Sequence, residues 1–144
     1  MVQDPKSHSL RIALAKHHGV EALNVVVGEG VDGLLSCVAT LLVADGDAVV
    51  STSGTYPTFS YFIAGRGGVV HNVSYGADDR VDLPGLLTKA RETNAKAIYL
   101  TNPDNPSGTE ACRARVQARP ALTTAAAALQ VRGTRVSASR CSSR

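Results

Sequence analysis

Asn102-Pro103-Asp104-Asn105-Pro106-Ser107-Gly108 directly follows the apolar run Ala97-Ile98-Tyr99-Leu100. Its two Asn-Pro steps read as a loop, because each proline biases the residue before it toward an extended backbone. The run ahead of it reads as a buried strand. A rigid loop just past the C-terminal end of a strand lies where ligands collect in open α/β sheets. About seventy residues earlier the chain carries a second punctuated segment, Gly28-Glu29-Gly30-Val31-Asp32-Gly33, set between the β-branched run Leu23-Asn24-Val25-Val26-Val27 and the apolar stretch Leu34 to Val43.

Outward from these two landmarks the chain alternates strands and helices. Ser7 to His18 has helical spacing, with Asp4 or Ser7 able to cap its start and Gly19 its end. Leu23 to Val27 reads as a first strand, Leu34 to Val43 as a buried helix, Ala48 to Ser51 as a second strand and Val69 to Val73 as a third. Leu83 to Thr93 reads as a helix capped by Asp82 with Pro84 in its first turn, followed by a fourth strand over Lys96 to Leu100. Continuously apolar strands separated by helices call for a parallel sheet covered on both faces. The fold class is therefore α/β, a mostly parallel sheet with flanking helices. The crossover from Thr55 to Gly68 holds Tyr56, Phe59, Tyr61 and Phe62 in a chain with few other aromatics.

Charge divides the sequence at Glu110. All twelve acidic residues lie at or before it and seven of eleven arginines after it, so an acidic first part of net −4 precedes a tail of net +7. Residues 1–110 form one domain in this reading. Residues 111–144 form a basic tail rich in Ala, Arg and Ser, disordered or weakly helical over Ala121 to Val131, and read as a non-native ending from a frameshift or misread splice junction. The tail has no aromatic residue on which a base could stack, so no nucleic-acid partner is assigned. No apolar run approaches the ~20 residues of a membrane span, and the N-terminus lacks a signal segment, which makes cytoplasmic the default. Cys37, Cys112 and Cys141 have no metal or disulfide spacing, and Cys37 reads as a helix core residue. The four histidines suggest no metal site.

The glycine segment also spells GxGxxG, the dinucleotide fingerprint. That alternative expects an acidic residue at the tip of the next strand, yet the strand ends Val50-Ser51-Thr52-Ser53, and Asp45 and Asp47 lie at its start. Both readings share one piece of physics. Free N–H groups and the positive dipole end at a helix start favour a phosphate dianion, and glycine lets the backbone come close.

Taken together, the glycine turn, Thr55-Tyr56-Pro57-Thr58-Phe59 and the NPxNPxG loop resemble the class I/II aminotransferases of fold type I, closest to the histidinol-phosphate aminotransferase branch. The resemblance runs from Asp4 to Thr109, including Leu10 to Ala15 and Asp78 to Leu86. It implies pyridoxal 5'-phosphate as cofactor, with its phosphate at Gly30, Val31 and Asp32, its ring face on Tyr56 and its ring hydroxyl oxygen at the amide of Asn105. It further implies an amino donor and a 2-oxo acid as substrates, and a homodimer for the full-length family. It covers only the N-terminal part of the large domain. The family's lysine and its ring-nitrogen carboxylate both come after the NPxNPxG loop, where this chain has no lysine and no aspartate. No catalytic residue is assigned, and the chain is expected to be inactive alone and to bind the cofactor weakly at best. A non-catalytic module for a phosphate ligand or a subunit, and a dinucleotide-binding fragment, are the alternatives.

Overall fold

A computed structural model describes residue 4, residues 6–111 and the backbone of residues 127–132. The chain divides into two compact units, Met1–Leu35 and Ser36–Arg144.

In the first unit, α1 spans His8–His18. Its start is capped from outside: Ser9 N–H donates to the Asp4 carboxylate at 3.0 Å, while Ser7, left-handed at φ 48°, makes no side-chain cap. Its end is a left-handed Gly19 (φ 67°), with the N–H of Val20 returning to the carbonyl of Ala15. That is the glycine stop of a helix, and it lets the chain reverse without a Cβ clash.

The strand expected over Leu23 to Val27 does not form. Ala22–Asn24 is a 3-10 turn, and Leu23 and Val26 are 83% and 73% exposed. The Arg11 guanidinium explains the difference. It donates from Nη2 to the Ala22 carbonyl (2.8 Å) and from Nε to the Val25 carbonyl (2.9 Å), taking backbone acceptors that a sheet neighbour would otherwise satisfy. The β-branched pattern scores the side chains and is blind to such a competitor.

Helix α2, Gly30–Leu42, begins in the first unit and ends in the second. Cys37, expected in the core, is exposed. Its neighbours Leu35 and Ala39 are buried, and a residue two positions from each lies on the far side of a helix with 3.6 residues per turn.

The second unit is a parallel sheet with helices on both faces. Among the described residues the strands are β1 (Ala48–Thr52), β2 (Val69–Val73), β3 (Ala97–Asn102) and β4 (Ala127–Arg132), in spatial order β2-β1-β3-β4. Register places Val50 opposite His71 and Ile98. Helix α3 (Thr58–Ala64) forms most of the aromatic crossover, and α4 (Leu83–Glu92) starts where Asp82 accepts the Gly85 N–H at 3.0 Å. Strand alternation divides the core. Val50 and Ile98 pack with Leu86, Ala90 and Ala95 beneath α4, whereas Tyr99 on the opposite face stacks at 4.7 Å on Phe59 of α3.

β4 runs along the edge of β3. The alanine run favours helix only weakly, and five of the six β3 residues are buried. An open edge on such a strand would leave its N–H and C=O groups unpaired. Ala127 to Arg132 run parallel to it, with Tyr99 opposite Leu129. Expectations for residues 112–126 and 133–144 lie outside the described residues.

Candidate functional site

In the first unit the site residues sit at the start of α2. The N–H of Gly30 donates to the Gly28 carbonyl at 2.9 Å, which closes the turn, and Gly30 takes φ +80°. A Cβ on Gly30 would strain the backbone yet meet nothing within 4 Å. Leu34 packs over Gly28, where a Cβ would come within 2.8 Å of its Cδ2. Val31 and Asp32 occupy the first turn of α2, where a helix presents the positive end of its dipole. A helix start of this kind fits a phosphate group by dipole and by donor supply.

In the second unit the C-terminal ends of three parallel strands meet at one carboxylate. Asp104 is only 3% exposed and accepts from four hydroxyls. Thr55, three residues past β1, lies 2.7 Å from its Oδ1, and Thr101 of β3 lies 2.8 Å from the same oxygen. Tyr75, two residues past β2, donates to Oδ2 at 2.8 Å, and Ser107 donates to Oδ2 at 2.7 Å. The Thr55 and Thr101 hydroxyls are themselves 2.8 Å apart, so two protons serve a triangle of three short edges.

Electrostatics follow from this packing. Burial pushes the Asp104 carboxyl up, but the hydrogen bonds from Thr55, Ser107, Tyr75 and Thr101 outweigh it and hold the group below the usual carboxylate range. The phenol of Tyr75 moves the other way. Burial and its donation to Asp104 push it up to about 12.

The loop after β3 is closed on itself. Asn102 brackets Ala111, donating from Nδ2 to its carbonyl (3.2 Å) and accepting its N–H at Oδ1 (3.0 Å). Inside the loop, Asp104 N–H reaches the Thr109 carbonyl and Gly108 N–H reaches the Asp104 carbonyl, each at 2.8 Å. Both Asn-Pro peptides are cis. Asn105 stands exposed at the loop surface beside the buried Asp104, and half-buried Tyr56 follows the pinned Thr55.

Tyr56 and Asn105 therefore belong to segments held at the same end of the sheet by a direct bond between their neighbours. Gly30, Val31 and Asp32 are placed within their own unit. Asp104, Thr55, Thr101, Tyr75 and Ser107 carry the arrangement and are absent from the sequence-derived site. Asp104 and Thr55 stand inside the segments quoted for other reasons, but an acid between two prolines reads as a solvated loop residue. The available signal was a lone carboxylate in a loop that follows a strand, with hydroxyl residues at three strand ends.

No acidic residue stands at the tip of β1, as a ribose-binding dinucleotide site requires. The lysines lie elsewhere. Lys96 precedes β3 and pairs with Asp47 at 2.7 Å, at the N-terminal end of the sheet, and Lys89 on α4 pairs with Glu92 at 2.8 Å. Lys16 is on α1 and Lys6 is exposed ahead of it. Among the described residues no helix is long and apolar enough to cross a membrane, and no group of His, Cys, Asp and Glu is arranged to hold a metal ion.

Residues 2–127 match the family described as aminotransferase class I and II. Histidinol-phosphate aminotransferase of Methanosphaerula palustris is 35% identical over 114 residues, covering 79% of this chain and 31% of the relative. The chloroplastic histidinol-phosphate aminotransferase of Nicotiana tabacum is 30% identical over 105 residues, 73% of this chain and 25% of the relative. Among solved structures, histidinol-phosphate aminotransferase from Sinorhizobium meliloti, in complex with pyridoxal-5'-phosphate, superposes with a TM-score of 0.75 at 46% identity, covering 81% of this chain and 31% of that one. The chain thus spans a quarter to a third of the length of these relatives.

Proposed function

Because this chain belongs to the class I and II aminotransferases, we propose that its residues form part of the cradle for pyridoxal 5'-phosphate in an enzyme that moves an amino group between an amino-alcohol phosphate or amino acid and a 2-oxo acid. The amino-alcohol phosphate is suggested by the histidinol-phosphate aminotransferases among its relatives. One observation carries the reading. The Thr55 to Asp104 hydrogen bond ties together the two segments that bear Tyr56 and Asn105.

Each residue has a distinct task. Val31 and Asp32 offer backbone N–H groups to the phosphate dianion, and Gly30 keeps the approach clear of a side chain. Tyr56 covers one face of the ring, a contact worth about 0.5 to 1.5 kcal/mol beyond area burial. Asn105 donates its amide N–H to the ring hydroxyl oxygen and favours the charged form of that oxygen. When bound, the cofactor supplies an electron sink for the pair released at the substrate α-carbon.

The amine that fixes the cofactor covalently is not assigned to any lysine of this chain. In relatives of this family it follows the NPxNPxG loop, whereas Lys89 and Lys96 precede that loop and are held in ion pairs.

Titration of the purified 144-residue chain with pyridoxal phosphate, followed by absorbance, tests the reading. Weak, saturable binding is expected, reduced by each of Gly30→Val, Tyr56→Ala and Asn105→Ala. Binding that none of the three alters would sink it.

A further inference from the structure

We infer that Asp104 is a positioning residue, which fixes the spacing between the Tyr56 turn and the Asn105 loop by tying the C-terminal ends of β1, β2 and β3 to one buried carboxylate. The inference rests on the cofactor reading above for its purpose, but its mechanism is a property of the chain alone. Tyr56 and Asn105 are separated by forty-nine positions, and both are attached to residues whose side chains meet at 2.7 Å. The two Asp104 oxygens divide the work. Oδ1 receives Thr55 and Thr101 from β1 and β3, and Oδ2 receives Tyr75 from β2 together with Ser107 of the loop itself.

An ionised carboxylate suits this position because it is acceptor-only, with room for about four hydrogen bonds, and all its partners are hydroxyls that donate. The low dielectric of a buried site strengthens each bond and makes a missing partner costly. Neither Thr55 nor Tyr75 is needed by the phosphate, ring-face or ring-oxygen contacts. Their convergence is explained by the tie.

Asparagine at 104 provides a conservative variant with a defined geometry. Its Oδ1 still accepts from Thr55 and Thr101, and its amide N–H groups can donate to the Tyr75 and Ser107 oxygens, which rotate to accept. Alanine removes all four bonds.

The test uses the whole 144-residue chain in two arms. In the first, without cofactor, amide hydrogen exchange is read in peptides covering residues 53–59 and 102–111, with α4 as the internal reference. Asp104→Ala is expected to raise exchange in both peptides together by about tenfold or more, the size of one lost buried bond, with Asp104→Asn restoring most of the protection. Should the alanine variant unfold, so that α4 also exchanges, Thr55→Val decides, because it deletes one hydroxyl at nearly constant volume. Loosening of both peptides in Thr55→Val supports the tie, and an unchanged 102–111 peptide overturns it. Loosening of 102–111 alone in Asp104→Ala, with 53–59 unchanged, overturns it as well.

In the second arm, pyridoxal phosphate is titrated into the same variants. Affinity is expected to fall about tenfold in Asp104→Ala and to recover in Asp104→Asn. If the unsubstituted chain shows no cofactor binding, the functional reading fails while the exchange arm still decides the tie. If it binds and Asp104→Ala binds equally well, the positioning role fails while the functional reading stands.

Discussion

Thr55 and Asp104 meet through a 2.7 Å hydrogen bond that joins the turn after β1 to the loop after β3. The carboxylate end of that contact is held below its usual range, burial being outweighed by hydroxyl donors. A depressed folded-state value means that the stabilisation is present above the unfolded pKa, ordinarily near 3.9 for aspartate, and is lost as pH falls through the folded value. Urea midpoints measured from about pH 7 down to about pH 3 should decline more steeply for the parent chain than for Asp104→Asn, which cannot titrate there. Parallel curves would show that Asp104 does not contribute to the acid limb.

Tyr75 gives the complementary test on the alkaline side. Its folded pKa is raised to about 12, so the neutral phenol is favoured in the fold, and that stabilisation is lost as pH rises from the unfolded value through the folded one. Ultraviolet titration should show one tyrosine ionising near pH 12 that is missing in Tyr75→Phe. A difference spectrum with its midpoint near 10 would contradict the buried donation to Asp104.

Gly68 tests packing behind the sheet rather than chemistry. A Cβ there would lie 2.7 Å from both Ile63 Cγ2 and Val43 Cγ1, and 3.2 Å from the Ile63 carbonyl oxygen. Gly68→Ala should therefore cost about 1–3 kcal/mol, as overpacking does, and lower the thermal midpoint. Gly30→Ala has open space around it and should cost only its left-handed backbone, about 1–2 kcal/mol. A larger loss at Gly30 than at Gly68 would reverse this ranking.

Arg11 holds two carbonyls with two different nitrogens, a fork that lysine cannot reproduce. Arg11→Lys should raise amide exchange over residues 20–27 and destabilise the first unit by about 1–3 kcal/mol, the range for hydrogen bonds to a charged donor. Equal exchange in the two proteins would assign the turn to local sequence alone.

Borohydride treatment in the presence of pyridoxal phosphate should leave no single lysine preferentially modified. Lys89 and Lys96 are paired with carboxylates, and Lys96 lies before β3, about six strand residues from the loop. At about 3.3 Å per residue that separation approaches 20 Å. Peptide mapping that found one lysine labelled stoichiometrically would identify an amine partner within this chain.

The sequence discloses the layered parts of this fold well and its exceptions poorly. Val69–Val73 and the Asp82-capped α4 are legible because short apolar runs and a cap with proline in the first turn are local signals. Residues 22–27 mislead because the deciding contact comes from Arg11, more than ten positions away. At the candidate site, Tyr56 and Asn105 are visible through motif resemblance. The network around Asp104 needs the sheet register, which brings Thr55, Tyr75 and Thr101 into reach only after β1, β2 and β3 are aligned.

That dependence on alignment has a folding consequence. Side chains on a strand alternate faces, so a one-residue slip would turn a whole strand over and carry its terminal hydroxyl away. The carboxylate would then be left charged, buried and short of donors, a costly state. Asp104 thereby acts as a proofreader of strand pairing: the misaligned sheet is excluded by the ion it would strand.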